Sequence, residues 1–146
     1  MTGDSGLNPA AVELGCFFPQ PREVVWNALI DPDLLERWMV RPTGFEPTVG
    51  THFLFNTPAI APGEVACEVL IARPLEQLAY SWTYSLSDPP ATWTIDWTLR
   101  AQGRGTRLLL TQTGFDIEDR RQRMQRNAME RSWRNTLPRL GDWINS

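Results

Sequence analysis

Apolar side chains recur at every second position over five stretches of this chain, the period of strands with one buried face. Ala10–Phe18 carries Val12, Leu14, Cys16 and Phe18, and Pro19 and Pro21 end it. His52–Thr57 sets Phe53 and Phe55 among polar neighbours, and Gly63–Ala72 puts Val65, Cys67, Val69 and Ile71 on one face. Gln77–Leu86 is the aromatic-rich stretch, with Leu78, Tyr80, Trp82, Tyr84 and Leu86 in line. Thr92–Leu99 carries Trp93, Ile95, Trp97 and Leu99, while Thr94, Asp96 and Thr98 point the other way. A tight turn, Gln102-Gly103-Arg104-Gly105, then returns the chain into Thr106–Thr113. If Ala101 opposes Thr106, Leu99 faces Leu108, Trp97 faces Leu110 and Ile95 faces Gln112. All the large apolar groups then share one face, and a slip of one residue would expose them. That register buries Gln112 and sets Asp96 opposite Thr111 on the outer face.

Three segments follow the helical period instead. Arg22–Ile30 places Val25, Trp26 and Leu29 at helical spacing, and Pro21 suits its start. After a break at Asp31-Pro32, Asp31 can cap a short helix over Asp33–Trp38. Beyond Gly114-Phe115 a long final helix is expected, with Asp116 as its N-cap and Glu118 and Asp119 in the first turn. Met129, Trp133, Leu137, Leu140 and Ile144 form its apolar stripe. Pro138 lies within that stripe, where it removes the bond to the Arg134 carbonyl, so a kink or two helical pieces are expected. The order of elements predicts an α+β domain in which a curved antiparallel sheet of about six or seven strands wraps around the long helix, leaving room for a cavity between them. Residues 1–9 read as a flexible segment and residues 10–146 as the single domain.

Composition narrows the chemistry. All 14 cationic residues are arginine, so Schiff-base chemistry, a lysine general base and a phosphate-binding Walker lysine are excluded. The single histidine, His52, excludes multi-histidine metal sites, and its parity opposite to Phe53 and Phe55 points it outward. The net charge of −3 leaves no footprint for nucleic acid. Cys16 and Cys67 form no CxxC pair and read as small buried apolar residues. The first residues lack the pattern of a secretory signal and no stretch is long enough for a membrane span, so a cytoplasmic location is expected. Of the acidic residues in the sheet region, Glu64, Glu68 and Asp96 point away from the concave face by alternation, and only Glu46 lies near a cavity mouth. No nucleophile–base pair and no cofactor site can be nominated.

The aromatic residues carry the most specific expectation. Phe53, Phe55, Tyr80, Trp82, Tyr84, Trp93 and Trp97 share the concave face, joined by Trp133 from the last helix, Trp38 from a short helix, and Cys67 and Gln112 from the strands. An aromatic stripe ordinarily means core. So many polar-tipped rings on one face also fit a pocket for a small apolar or aromatic ligand, because buried indole N–H and phenol O–H groups need partners. Arg120, Arg121, Arg123 and Arg126 crowd the start of the last helix. They fit a solvated face, or a patch for an acidic protein partner or a ligand carboxylate.

The segments FFPQPREVVWNALIDPDLLERWM, GFEPTVGTHFLF, GEVACEVLIARPLEQLAYSWTY and TWTIDWTLRAQGRGTRLLLTQTGF, with the SW…L…L ending of the last helix, resemble in order and spacing the AHSA type of the START-like (SRPBCC) superfamily. AHSA stands for the activator of heat-shock protein 90 ATPase. The resemblance covers residues 11–144 and implies a helix-grip (START-like, Bet v 1-like) fold. It implies three functions: a hydrophobic-ligand carrier, a co-chaperone-like partner of an Hsp90-type ATPase, or a cyclase- or hydrolase-like enzyme. Of these the ligand-binding domain without catalysis is the leading expectation. Ser132 stands where the family pattern leads one to expect Gly before Trp133, and Pro138 is unusual within the helix.

Overall fold

Strand alternation becomes a sheet when each buried face finds a partner. In the computed structural model, which describes residues 10–56, 64–84 and 91–144, the partner is a single long helix. The strands are β1 (Val12–Phe18), β2 (His52–Asn56), β3 (Glu64–Arg73), β4 (Gln77–Tyr84), β5 (Ala91–Gln102) and β6 (Gly105–Thr113), with helices α1 (Arg22–Ile30), α2 (Pro32–Trp38) and α3 (Arg120–Ile144). They form one antiparallel six-stranded sheet in the order β1-β6-β5-β4-β3-β2. The first strand therefore pairs with the last, and every other pairing is between chain neighbours. The expected flexible segment 1–9 and the expected strand ends at Thr57, Gly63 and Leu86 lie outside the described residues.

The β5–β6 hairpin has the register that the apolar pattern demands. Trp97 pairs with Leu110, Leu99 with Leu108 and Ile95 with Gln112, around the Gly103-Arg104 turn, where Gly103 takes a φ of 61° that residues with a Cβ rarely adopt. Gly105 is required for a different reason: a Cβ there would sit 2.3 Å from the Phe18 carbonyl oxygen of the neighbouring β1. α1 and α2 form over the expected residues, and the Asp33 backbone N–H donates to Asp31 Oδ1 at 2.9 Å, the expected cap.

Three local expectations are corrected. β3 shifts register between Val69 and Ile71, a bulge that turns Ile71 off the concave face and brings the partly buried Ala72 onto it, opposite Leu78. α3 begins at Arg120, so its N-cap is Asp119, whose Oδ1 accepts from the Arg121 backbone N–H at 2.9 Å. Asp116 organises the turn before it, accepting from the Glu118 backbone N–H at 3.1 Å. α3 also runs through Pro138 as one helix and not as two pieces, because Leu137 and Leu140 on either side are buried and anchor both turns to the core.

The core lies between the concave face and α3. Trp38, Trp82, Trp97 and Trp133 are among its largest fully buried side chains. Burial of such rings is the main stabilising term, on the order of 25 cal/mol per Å² of apolar surface. α1 packs on β5, β6 and α3, and α2 on α3, so the short helices cover the same core. No helix of the described residues is long and apolar enough to cross a membrane.

Candidate functional site

Strand parity carries Phe53, Phe55, Cys67, Tyr80, Trp82, Trp93, Trp97 and Gln112 to the concave face, where all are at most 3% exposed. Tyr84, at the end of β4, has the same parity but is only half-buried. α3 contributes Trp133 and α2 contributes Trp38, both fully buried. The expected set is thus brought on to one face, and seven of its rings, those of Trp38, Phe53, Phe55, Tyr80, Trp82, Trp97 and Trp133, form a chain of contacts. Phe53 lies edge-on to Phe55 and to Tyr80, with ring centroids 5.4 and 5.3 Å apart. Trp133 meets Trp82 at 6.0 Å and Trp97 at 5.6 Å, and Trp38 meets Trp97 at 6.0 Å. Trp93 lies apart from this chain of rings, tilted against Phe115 at 4.6 Å. Edge-to-face contacts of this kind contribute about 0.5–1.5 kcal/mol beyond area burial.

The polar tips decide what the face can do. Trp97 Nε1 donates to the Tyr80 hydroxyl at 3.0 Å, Trp133 Nε1 to Gln112 Oε1 at 2.9 Å, and Trp38 Nε1 to the Ala28 carbonyl at 2.9 Å. Two donors on the same face are left over: Trp82 Nε1 and Gln112 Nε2 are buried and find no acceptor among the described residues. Both flank Trp133, one through ring contact and the other through the hydrogen bond just given. A buried donor without an acceptor costs about 1–3 kcal/mol.

Burial pushes the Tyr80 phenol well above its ordinary range, only partly offset by the hydrogen bond from Trp97. Burial alone raises the Cys67 thiol in the same direction. Both groups are therefore neutral at physiological pH and serve as hydrogen-bonding or apolar surface rather than as proton carriers. Cys16 differs from its expected burial. It is half-buried, and desolvation raises its thiol while the Arg107 guanidinium pulls the other way.

The outward residues behave as parity predicts, with more structure than parity alone reveals. His52 is exposed and sits across from Glu68, Nε2 to Oε1 at 4.0 Å, a partner that spacing along the chain did not indicate. Asp96 accepts from Gln77 Nε2 at 2.6 Å and from Thr98 Oγ1 at 2.8 Å on the outer face. Glu46 and Glu64 are exposed. Among the described residues no group of three or more His, Cys, Asp or Glu is placed to hold a metal.

The arginines at the start of α3 do not act as one solvated face. Arg126 is tied down, donating from Nε and Nη2 to the Ala11 carbonyl at 3.1 and 2.8 Å and pairing with Glu130 at 2.8 Å. Arg123 donates to the Ile117 carbonyl at 2.9 Å. Arg120 and Arg121 instead line an open recess with Met124, Gln125, Ala128 and Arg131. Sequence reasoning passed over the last four because they lie off the buried stripe. A second recess, about 350 Å³, opens between β1 and the second half of α3, beside Cys16 and Pro138. Neither recess includes an expected cavity residue.

Comparison with known proteins places this architecture. A crystal structure of a Mesorhizobium loti protein is 28% identical, with a TM-score of 0.82 over 92% of this chain and 96% of that one. A Bacillus halodurans protein solved in solution is 20% identical, with a TM-score of 0.76 over 92% and 96%. The solution structure of the Aha1 dimer from Colwellia psychrerythraea is 16% identical, with a TM-score of 0.74 over 92% and 95%. Among curated proteins none matches this chain. Residues 19–143 match the family described as Activator of Hsp90 ATPase homolog 1-like protein. With its six-stranded sheet closed around α3, the chain belongs to that family, on the START-like helix-grip fold.

Proposed function

We propose that this domain binds a small, mainly apolar ligand between its curved sheet and α3, using aromatic side chains for the apolar body and Trp82 Nε1 and Gln112 Nε2 to hold an acceptor on it. The observation that carries this reading is the pair of buried donors beside Trp133 with no acceptor among the described residues. Native proteins leave few such groups unsatisfied, and a ligand carbonyl, ether or carboxylate supplies what both lack. Because the rings touch one another, the ligand enters by parting edge-to-face contacts, each individually weak, rather than by filling open space. Phe53, Phe55, Tyr80, Trp93, Trp97 and Trp133 supply the apolar lining, Trp38 and Cys67 its floor, and the half-exposed Tyr84 its rim.

Native mass spectrometry of gently purified protein, with lipid extraction, tests the proposal. A bound species of defined mass is the expected result, together with a change in tryptophan emission when the extracted compound is added back. Trp82→Phe removes one free donor and is expected to weaken retention about tenfold, since a good hydrogen bond in such a site is worth about 1.4 kcal/mol; Gln112→Leu removes the other and also the acceptor of Trp133 Nε1, so it is expected to lower stability as well. Absence of a bound species, with emission unmoved by fatty acids, sterols and polycyclic aromatics, overturns the reading.

Family membership favours a second reading, a co-chaperone-like partner of an Hsp90-type ATPase. Arg120 is its candidate contact, because Arg123 and Arg126 are occupied by backbone carbonyls of this chain. It predicts a change in chaperone ATPase rate on adding the protein. No rate change, and no binding heat at high protein concentration, removes it.

A further inference from the structure

The first half of α3 has a flank that the core does not use. Arg120, Met124 and Ala128 follow one another by single helical turns, with Arg131 the next residue on that side and Arg121 and Gln125 beside them. Together they line an open recess of about 680 Å³ along one face of the helix. Its floor is apolar and its ends are cationic. Met124 is 61% exposed, a large apolar side chain held in water between guanidinium groups. No carboxylate lines the recess, and neither the Arg120 nor the Arg131 side chain has a hydrogen bond or ion pair among the described residues. Glu130, next to Arg131 in sequence, is taken by Arg126 and Arg134 on another side of the helix. Beside Met124 the Gln125 side-chain oxygen Oε1 is buried and accepts no hydrogen bond.

The spacing of the charges defines the ligand. At a rise of about 1.5 Å per residue, Arg120 and Arg131 stand on the order of 16 Å apart along the helix axis, too far to clamp one carboxylate together. We propose that this flank binds an elongated dianion, with an apolar chain lying on Met124 and Ala128, one carboxylate at Arg120, and the other at Arg131. An anionic membrane would also meet the exposed acids Glu118 and Asp119 at the helix start, which favours a single free molecule. The site shares no residue with the proposed interior site, so each can fail without the other.

Calorimetric titration with dodecanedioate, and with dodecanoate below its micellar range, tests the inference. Dodecanedioate is expected to saturate a single site and to bind several-fold more tightly than dodecanoate, in line with the modest worth of one exposed ion pair. R120Q and R131Q are each expected to weaken it several-fold, the double variant to remove measurable binding, and 0.5 M salt to weaken it in the unmodified protein. Far-ultraviolet circular dichroism checks that these exposed substitutions leave the fold intact. Tryptophan emission is expected to stay constant, because no indole lines the recess. No saturable binding, equal binding by the double variant, or attachment to phosphatidylglycerol vesicles without binding of the free diacid would each overturn it.

Discussion

Tyr80 and Gln112 perform the same task at two points of the concave face: each accepts from an indole that has no other partner. The phenol of Tyr80 adds its own ring to the aromatic chain through Phe53 and Phe55. Tyr80→Phe keeps that ring and deletes only the acceptor, leaving Trp97 Nε1 buried and unpaired. The expected cost is about 1–3 kcal/mol, measured as a lower midpoint of urea unfolding with an unchanged slope. Strand parity was enough to place both residues on the buried face, because alternation depends only on backbone geometry. Parity did not reveal which indole meets which acceptor, because that depends on rotamers chosen by neighbours on other strands and on α3. The two unsatisfied donors at Trp82 and Gln112 were hidden for the same reason. His52 is the simplest case: its outward direction followed from alternation, and its approach to Glu68 needed the β2–β3 register.

At the level of elements, local signals located each helix and strand, and the corrections came where tertiary contacts decide boundaries. Both Asp116 and Asp119 are good caps in isolation, and the chain uses Asp116 to shape the turn and Asp119 to start α3. Asp119→Ala is therefore expected to cost about 1 kcal/mol of stability, and Asp116→Ala less, when both are followed by thermal melting. Pro138 presents the reverse situation, a strong local breaker overridden by the buried anchors Leu137 and Leu140. Its penalty persists as the lost α-helical bond to the Arg134 carbonyl, since proline has no N–H to donate. Pro138→Ala supplies the missing N–H and is expected to raise stability, by up to about 3 kcal/mol, seen as a higher unfolding midpoint. The β3 bulge was invisible for a related reason: Val65, Cys67, Val69 and Ile71 alternate without a break, and only pairing with β4 shows the extra residue.

The strand order, in which β1 closes against β6, is a property of the whole chain, and it places the interior groups that respond to pH. With no lysine in the sequence, the side chains that titrate between neutrality and strongly alkaline pH are the two cysteines and two tyrosines. Two of these, Cys67 and Tyr80, come from adjacent strands and meet in the core, where burial raises both above their ordinary values of 9.0 and 10.0. The folded protein keeps them protonated while the unfolded chain releases the protons. A group raised in this way contributes its full stability below its unfolded value, and that contribution falls as the pH climbs past it, by up to about 1.4 kcal/mol per pH unit for each proton. Urea unfolding is therefore expected to give a flat midpoint from pH 6 to about 8 and a steep decline from about pH 9 upward. The half-buried Cys16 shifts in the same direction and adds to the slope. Cys67→Ala with Tyr80→Phe removes the two fully buried groups, and the double variant is expected to lose most of the alkaline decline while starting from lower stability at neutral pH. An alkaline slope unchanged in that variant would show that ionisation of the aromatic core does not govern the loss.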